Sequence, residues 1–124
     1  MALLRVLLVD DEEDLLYTLA ERLTLRGYEV DAVTDGADAV NHAQTQQHDV
    51  AVVDVKMPGM SGIEILATLR KQKPNLPVIL LTGHGSEEDG QEGMRQGAFA
   101  YLIKPTNLHD LMESMEKAVK AAER

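Results

Sequence analysis

Five short apolar runs punctuate the chain: Arg5-Val6-Leu7-Leu8-Val9, Glu29-Val30-Asp31-Ala32-Val33, Val50-Ala51-Val52-Val53, Val78-Ile79-Leu80-Leu81 and Ala100-Tyr101-Leu102-Ile103. The first, third and fourth are nearly continuous in Val, Ile and Leu, the pattern of strands covered on both faces. The second alternates, which suits an edge strand with one wetter face. Every connection is too long for a hairpin, and the connections carry helical periodicity. Strand–helix alternation repeated in this way predicts an α/β fold, a parallel sheet with helices on both faces.

The intervening segments carry helix signals of unequal strength. Leu16, Leu19 and Leu23 recur at three and four residues, and Gly27 follows as a stop. Ala37, Val40 and Ala43 mark a weaker second helix. Ser61 with Glu64 three residues on spells a capping box ahead of Ile65, Leu66 and Leu69. Asn107 caps a last helix whose Leu108, Leu111, Met112, Met115 and Val119 share one face. The segment Glu87 to Gln96 is the poorest, because Gly90 and Gly93 interrupt it. Each glycine costs about 0.8–1.0 kcal/mol relative to Ala in a helix interior, so this helix is expected to be short, frayed or mobile.

A length of 124 residues suits one domain, here taken as residues 1–124. Twelve basic against 21 acidic residues give a net charge of −9, which argues against this domain binding nucleic acid or an anionic membrane. The absence of cysteine removes disulfides, thiolate metal sites and cysteine catalysis. Arg5 and the acids after Val9 break the apolar start, so no signal peptide is read there, and no run approaches the length of a membrane span. A cytoplasmic location is the expectation.

In open parallel sheets, ligands bind beyond the carboxyl ends of the strands. The residues following the apolar runs there are Asp10-Asp11, Asp54, Thr82 and Lys104, with Thr34-Asp35 off to one side. Clustered carboxylates repel unless their pKa values rise or a cation neutralises them. Oxygen ligands without nearby His or Cys favour a hard ion, and Mg²⁺ with water completing its shell fits best. A carboxylate beside Mg²⁺, a lysine and a hydroxyl is also a reasonable nucleophile toward phosphorus. Asp54, at the end of the central strand, is the expected nucleophile. A single Asp at a strand end could be a mere polar terminus; four such groups at one edge are a stronger signal.

Asp10-Asp11, Asp54 followed by Met57-Pro58-Gly59-Met60-Ser61-Gly62, Thr82-Gly83 and Tyr101-Leu102-Ile103-Lys104-Pro105 together resemble the receiver domain of bacterial two-component response regulators, over essentially the whole chain. The resemblance implies a flavodoxin-like (CheY-like) doubly wound sheet of five parallel strands, order 2-1-3-4-5, with five helices. It implies that Asp54 accepts a phosphoryl group from a histidine kinase or phosphotransfer protein. Asp11 and Asp54 would hold Mg²⁺ through carboxylate oxygens, Asp10 largely through metal-bound water, and Lys56 through its backbone carbonyl. Thr82 and Lys104 would contact the phosphoryl oxygens, and the Lys104–Pro105 bond would be cis. Gly83 would leave room for the phosphate. Thr82 and Tyr101 would form the switch, acting on the face made by the fourth helix, fifth strand and fifth helix. Lys56 and His84 match positions that tune dephosphorylation, and neither is suited to orienting a water. A long-lived phosphoryl group is therefore expected.

Two enzyme-like or cofactor-binding rivals fail at particular residues. An aspartyl-phosphate hydrolase of the haloacid dehalogenase type resembles Asp-x-Asp, but Lys56 stands two after Asp54. A flavodoxin would cradle a flavin phosphate where this chain has five acids, Asp10 to Asp14. A phosphorylation-independent interaction module stays open as an alternative. The chain is not expected to be a turnover enzyme, although it would catalyse its own phosphorylation and dephosphorylation. Expected partners are the kinase and a downstream protein or attached output domain, and a phosphorylation-dependent homodimer is left open. Leu81-Thr82-Gly83-His84-Gly85 resembles receivers attached to sigma-54-dependent activators. Glu12, Glu13 and Asp14 are assigned to the start of the first helix, and His42, His48 and His109 to the surface.

Overall fold

The computed structural model describes residues 4–83 and 86–123. Strands β1 (Arg5–Val9), β2 (Glu29–Val33), β3 (Val50–Asp54), β4 (Val78–Thr82) and β5 (Ala100–Ile103) alternate with helices α1 (Glu13–Leu25), α2 (Gly36–Thr45), α3 (Gly62–Gln72), α4 (Glu87–Arg95) and α5 (Leu108–Ala122). All pairings are parallel, in the order β2-β1-β3-β4-β5. The strand order reverses between β1 and β3, so the carboxyl ends of those two strands open the crevice in which ligands of such sheets sit.

Side-chain alternation across the strands divides the core in two. Leu7, Val9, Ala51, Val53, Val78 and Leu80 face one layer with Ala39, Ala43, Ile65, Leu66 and Leu69. Val6, Leu8, Val50, Val52, Ile79 and Leu81 face the other with Leu16, Leu23, Leu111, Met115 and Ala118. Every residue of β3 and β4 is buried, whereas β2, at the sheet edge, keeps Glu29 exposed and Val30, Asp31 and Ala32 half-buried. The continuous and the alternating apolar runs thus fall where covered and edge strands belong.

The cap signals are also met. Ser61 accepts from the Glu64 backbone N–H while the Glu64 carboxylate accepts from that of Ser61, closing the box at α3. Asn107 accepts from the Asp110 backbone N–H at 2.8 Å. Gly27, with φ of 95°, follows the end of α1. Asp35 caps α2 by accepting from the Asp38 N–H, which accounts for its place beside the ligand edge rather than in it.

One expectation is met and one is corrected. Helix α4 is short, at nine residues, and its Gly90 and Gly93 are buried contact points. His48 is not a surface residue: its side chain is 1% exposed and its Nε2 lies 2.7 Å from the Asp31 carboxylate, which also accepts from Arg5 at 3.1 Å. Burial lowers the His48 pKa against the opposing pull of Asp31. The polar position in the alternating β2 run marks this buried partnership at the sheet edge.

Candidate functional site

Strands β1 and β3 end side by side, with Val9 in register with Val53, so Asp10 and Asp54 emerge as neighbours. Both are largely buried, at 5% and 6% exposure, while Asp11 is exposed. Oxygens of Asp10, Asp11 and Asp54 lie within 4.8 Å of one another. Across the mouth, β5 delivers Lys104, whose Nζ donates to Asp10 at 2.8 Å and lies 3.3 Å from Asp54. The other oxygen of Asp10 accepts from the Glu12 backbone N–H at 3.0 Å, tying the start of α1 to the pocket.

The charge balance shows what the site lacks. Burial pushes the Asp54 carboxyl up from 3.8 to about 6; the Lys104 ammonium pulls it down, and the negative charges of Asp10 and Asp11 push it up again. Burial alone would lower the Lys104 pKa, but its hydrogen bond to Asp10 and the charges of Asp54 and Asp10 prevail and raise it. Among the described residues one ammonium thus faces three carboxylates. Three close oxygen donors without nitrogen or sulfur are a fitting donor set for a hard divalent cation.

Thr82 closes β4 completely buried, and its Oγ1 has no hydrogen-bond partner among the described residues. Leaving a buried hydroxyl unpaired costs free energy. Thr82 follows Leu80 by two residues and therefore faces the α4 side of the sheet. A Cβ placed on Gly83 would meet nothing within 4 Å among the described residues. The Lys104–Pro105 bond is cis, as expected. Tyr101 is half-buried against the layer containing Leu80 and Val78. Lys56 is exposed and helps line a cleft of ≈ 440 Å³ with Met57, Pro58, Ile63 and Asp89. His84 lies outside the described residues. A second cleft, ≈ 420 Å³, adjoins Asp10 and Lys104 and is lined by Leu15, Leu19, Leu81 and Pro105.

The structure thus brings together Asp10, Asp11, Asp54 and Lys104, with Thr82 ending the next strand. One residue, Asp89, is not legible from the sequence as part of this region, whereas Gly62 already stands in the motif that follows Asp54. Asp89 reaches the cleft only because α4 stacks beside the β3–α3 loop. Gly62 brings α3 so close that a Cβ would overlap the Asp54 carbonyl oxygen and lie 2.6 Å from Val55 Cα.

A five-stranded parallel sheet in this order, with a carboxylate pocket at its β1/β3 switch point, defines a CheY-like receiver. The chain belongs to the response regulator receiver domain family, whose model matches residues 6–116. It is 38% identical over 108 residues to the two-component response regulator PhoP of Pseudomonas aeruginosa, covering 87% of this chain and 48% of that protein. To the transcriptional regulatory protein TcrA of Mycobacterium tuberculosis it is 42% identical over 107 residues, covering 86% and 42%. A response regulator receiver domain from Clostridium thermocellum superposes with a TM-score of 0.93 at 32% identity, covering 98% of each chain. The chain therefore spans less than half the length of these two curated relatives. Among the described residues no helix is long and apolar enough to cross a membrane.

Proposed function

We propose that residues 1–124 form a single receiver domain that works as a phosphorylation switch, with Asp54 as the phosphoacceptor. The observation carrying this is a buried carboxylate bracketed by two further carboxylates, a lysine and an unpaired buried hydroxyl. In the transfer step an Asp54 carboxylate oxygen attacks the phosphorus of a phosphohistidine on a partner kinase or phosphotransfer protein. A P–O bond forms as the P–N bond breaks, and the imidazole leaves with the electron pair and takes up a proton. The apolar cleft beside Asp10 and Lys104 offers that partner a surface next to the acceptor.

Asp10, Asp11 and Asp54 would hold Mg²⁺, with the Lys56 backbone carbonyl as a further ligand. When bound, the ion supplies positive charge that offsets the charge on the transferring phosphoryl oxygens. Lys104 already bridges Asp10 and Asp54 and would contact a phosphoryl oxygen, and Thr82 Oγ1 would donate to another. Phosphorylation adds about −1.5 to −2 charge at pH 7. Movement of Thr82 toward it vacates space that Tyr101 fills, biasing the face formed by α4, β5 and α5 between two packings. That face would act on a downstream protein or an attached output domain, consistent with the greater length of the relatives. Self-phosphorylation is a single event per acceptor, so the domain is a switch and not a turnover enzyme.

Intact mass after incubation with acetyl phosphate and Mg²⁺ tests the reading. One labile phosphoryl group is expected, absent from Asp54→Asn and from an EDTA control. If neither acetyl phosphate nor beryllofluoride modifies the wild-type protein, the switch reading is wrong. Lys56 and His84 are proposed to set the phosphoryl lifetime, since neither orients water as an amide or acid does. Lys56→Asn combined with His84→Glu should speed decay of the phosphorylated protein, and an unchanged decay rate would exclude the assignment.

A further inference from the structure

Helix α4, Glu-Glu-Asp-Gly-Gln-Glu-Gly-Met-Arg, brings almost no apolar side chain to the sheet. Met94, its one large apolar residue, is 42% exposed. The helix meets the sheet through Gly90 and Gly93, which are three apart and share a face. Beneath them lie Leu80 and Tyr101, registered partners on β4 and β5. A Cβ on Gly93 would overlap Leu80 Cδ1. A Cβ on Gly90 would lie 2.6 Å from Cδ2 and 2.7 Å from Cγ of Tyr101. Cγ is the root of a rigid ring, so a methyl group there forces the ring to turn or the helix to lift.

Little else fixes α4. Ser86 makes no side-chain cap, and the side-chain hydrogen bonds of Glu92 run to Arg95 and Gln96 at its own end. The packing of the Tyr101 ring against this helix therefore depends on Gly90, while Gly93 sets the approach to Leu80.

We propose that Gly90 is a positioning residue for Tyr101: its missing side chain seats the ring, and position 90 thereby sets how Tyr101 packs before phosphorylation. The inference deepens the switch reading and rests on Tyr101 being its moving part. Any residue larger than glycine at 90 would unseat the ring without phosphorylation and uncouple it from Thr82.

Fluorine NMR of protein labelled with 3-fluorotyrosine reads this directly, because the chain has three tyrosines, Tyr17, Tyr28 and Tyr101. In the metal-free protein Gly90→Ala should move the Tyr101 resonance and leave those of Tyr17 and Tyr28 in place. On adding Mg²⁺ and beryllofluoride, the Tyr101 response should fall to less than about half that of the wild type. A Tyr101 resonance unmoved by Gly90→Ala in the metal-free protein overturns the proposal. If Gly90→Ala moves it but beryllofluoride shifts it in neither protein, the seat stands and the switch reading fails.

Thermal melts guard against a folding defect. Gly90→Ala should lower the midpoint when Tyr101 is present and raise it in a Tyr101→Ala background, where the ring no longer obstructs and helix propensity prevails. A lowered midpoint in both backgrounds overturns the assignment of the ring as the reason for the glycine.

Discussion

Asp54→Asn is expected to stabilise the metal-free domain at neutral pH while abolishing phosphoryl uptake. Asn resembles the protonated acid, so the variant escapes the cost of holding a buried carboxylate beside Asp10 and Asp11. A rise in the Asp54 pKa from 3.8 to about 6 corresponds to a cost on the order of 3 kcal/mol for the ionised form. The sign follows from proton binding. Between these two pKa values the native state holds more protons than the unfolded chain, so stability falls as pH rises through that window. Below it Asp54 is protonated in both states and the cost vanishes. Urea unfolding in EDTA should therefore show a large advantage of Asp54→Asn near about pH 7.5 that shrinks toward nothing by about pH 4. An equal advantage at both pH values would remove the electrostatic account. Mg²⁺ should stabilise the wild type more than the variant, since a ligand that binds only the native state stabilises by an amount that grows logarithmically as Kd falls.

Gly62→Ala should be among the most damaging single-methyl changes in the molecule. Gly to Ala in a helix ordinarily gains about 0.8–1.0 kcal/mol. Here the added Cβ would overlap the Asp54 carbonyl oxygen and sit 2.6 Å from Val55 Cα, and both are backbone atoms in or beside the central strand. Side chains can rotate away from such a contact, but a hydrogen-bonded strand cannot. A loss of about 3 kcal/mol is expected, or a fall in melting midpoint of about 10 °C. The same contact places Gly62 behind Asp54, the proposed phosphoacceptor, so acetyl phosphate labelling of the folded fraction should also slow. Gly83→Ala is the comparison: its Cβ meets nothing within 4 Å, so the free domain's stability should change by less than about 0.5 kcal/mol. Similar midpoints for the two variants would mean that α3 can lift off β3 at little cost.

Much of this protein was legible in the sequence because the relevant signals are local. Unbroken apolar runs in β1, β3 and β4 state that both faces are covered, and the mixed run of β2 states that it lies at an edge. Ser61 with Glu64, and Asn107 before Leu108, write the starts of α3 and α5 in a few residues each. Because strand ends in a parallel sheet converge on one edge, the sequence alone groups Asp10, Asp54, Thr82 and Lys104.

Contacts between segments distant in the chain were decided only by the tertiary structure. His48 looked like one more polar residue in a loop, yet folding places it beneath the sheet edge against Asp31, 17 residues earlier. The strand-end position of Lys104 says only that it reaches the carboxylate edge; the fold shows that it bridges Asp10 and Asp54. Gly90 and Gly93 carry the sharpest contrast. As sequence they are helix breakers, because propensity counts only the backbone entropy that each glycine loses. In the fold they are the places where Tyr101 and Leu80 press against a helix with no apolar face of its own. Periodicity and propensity are properties of one segment, whereas the space a side chain needs is set by whatever segment folds against it.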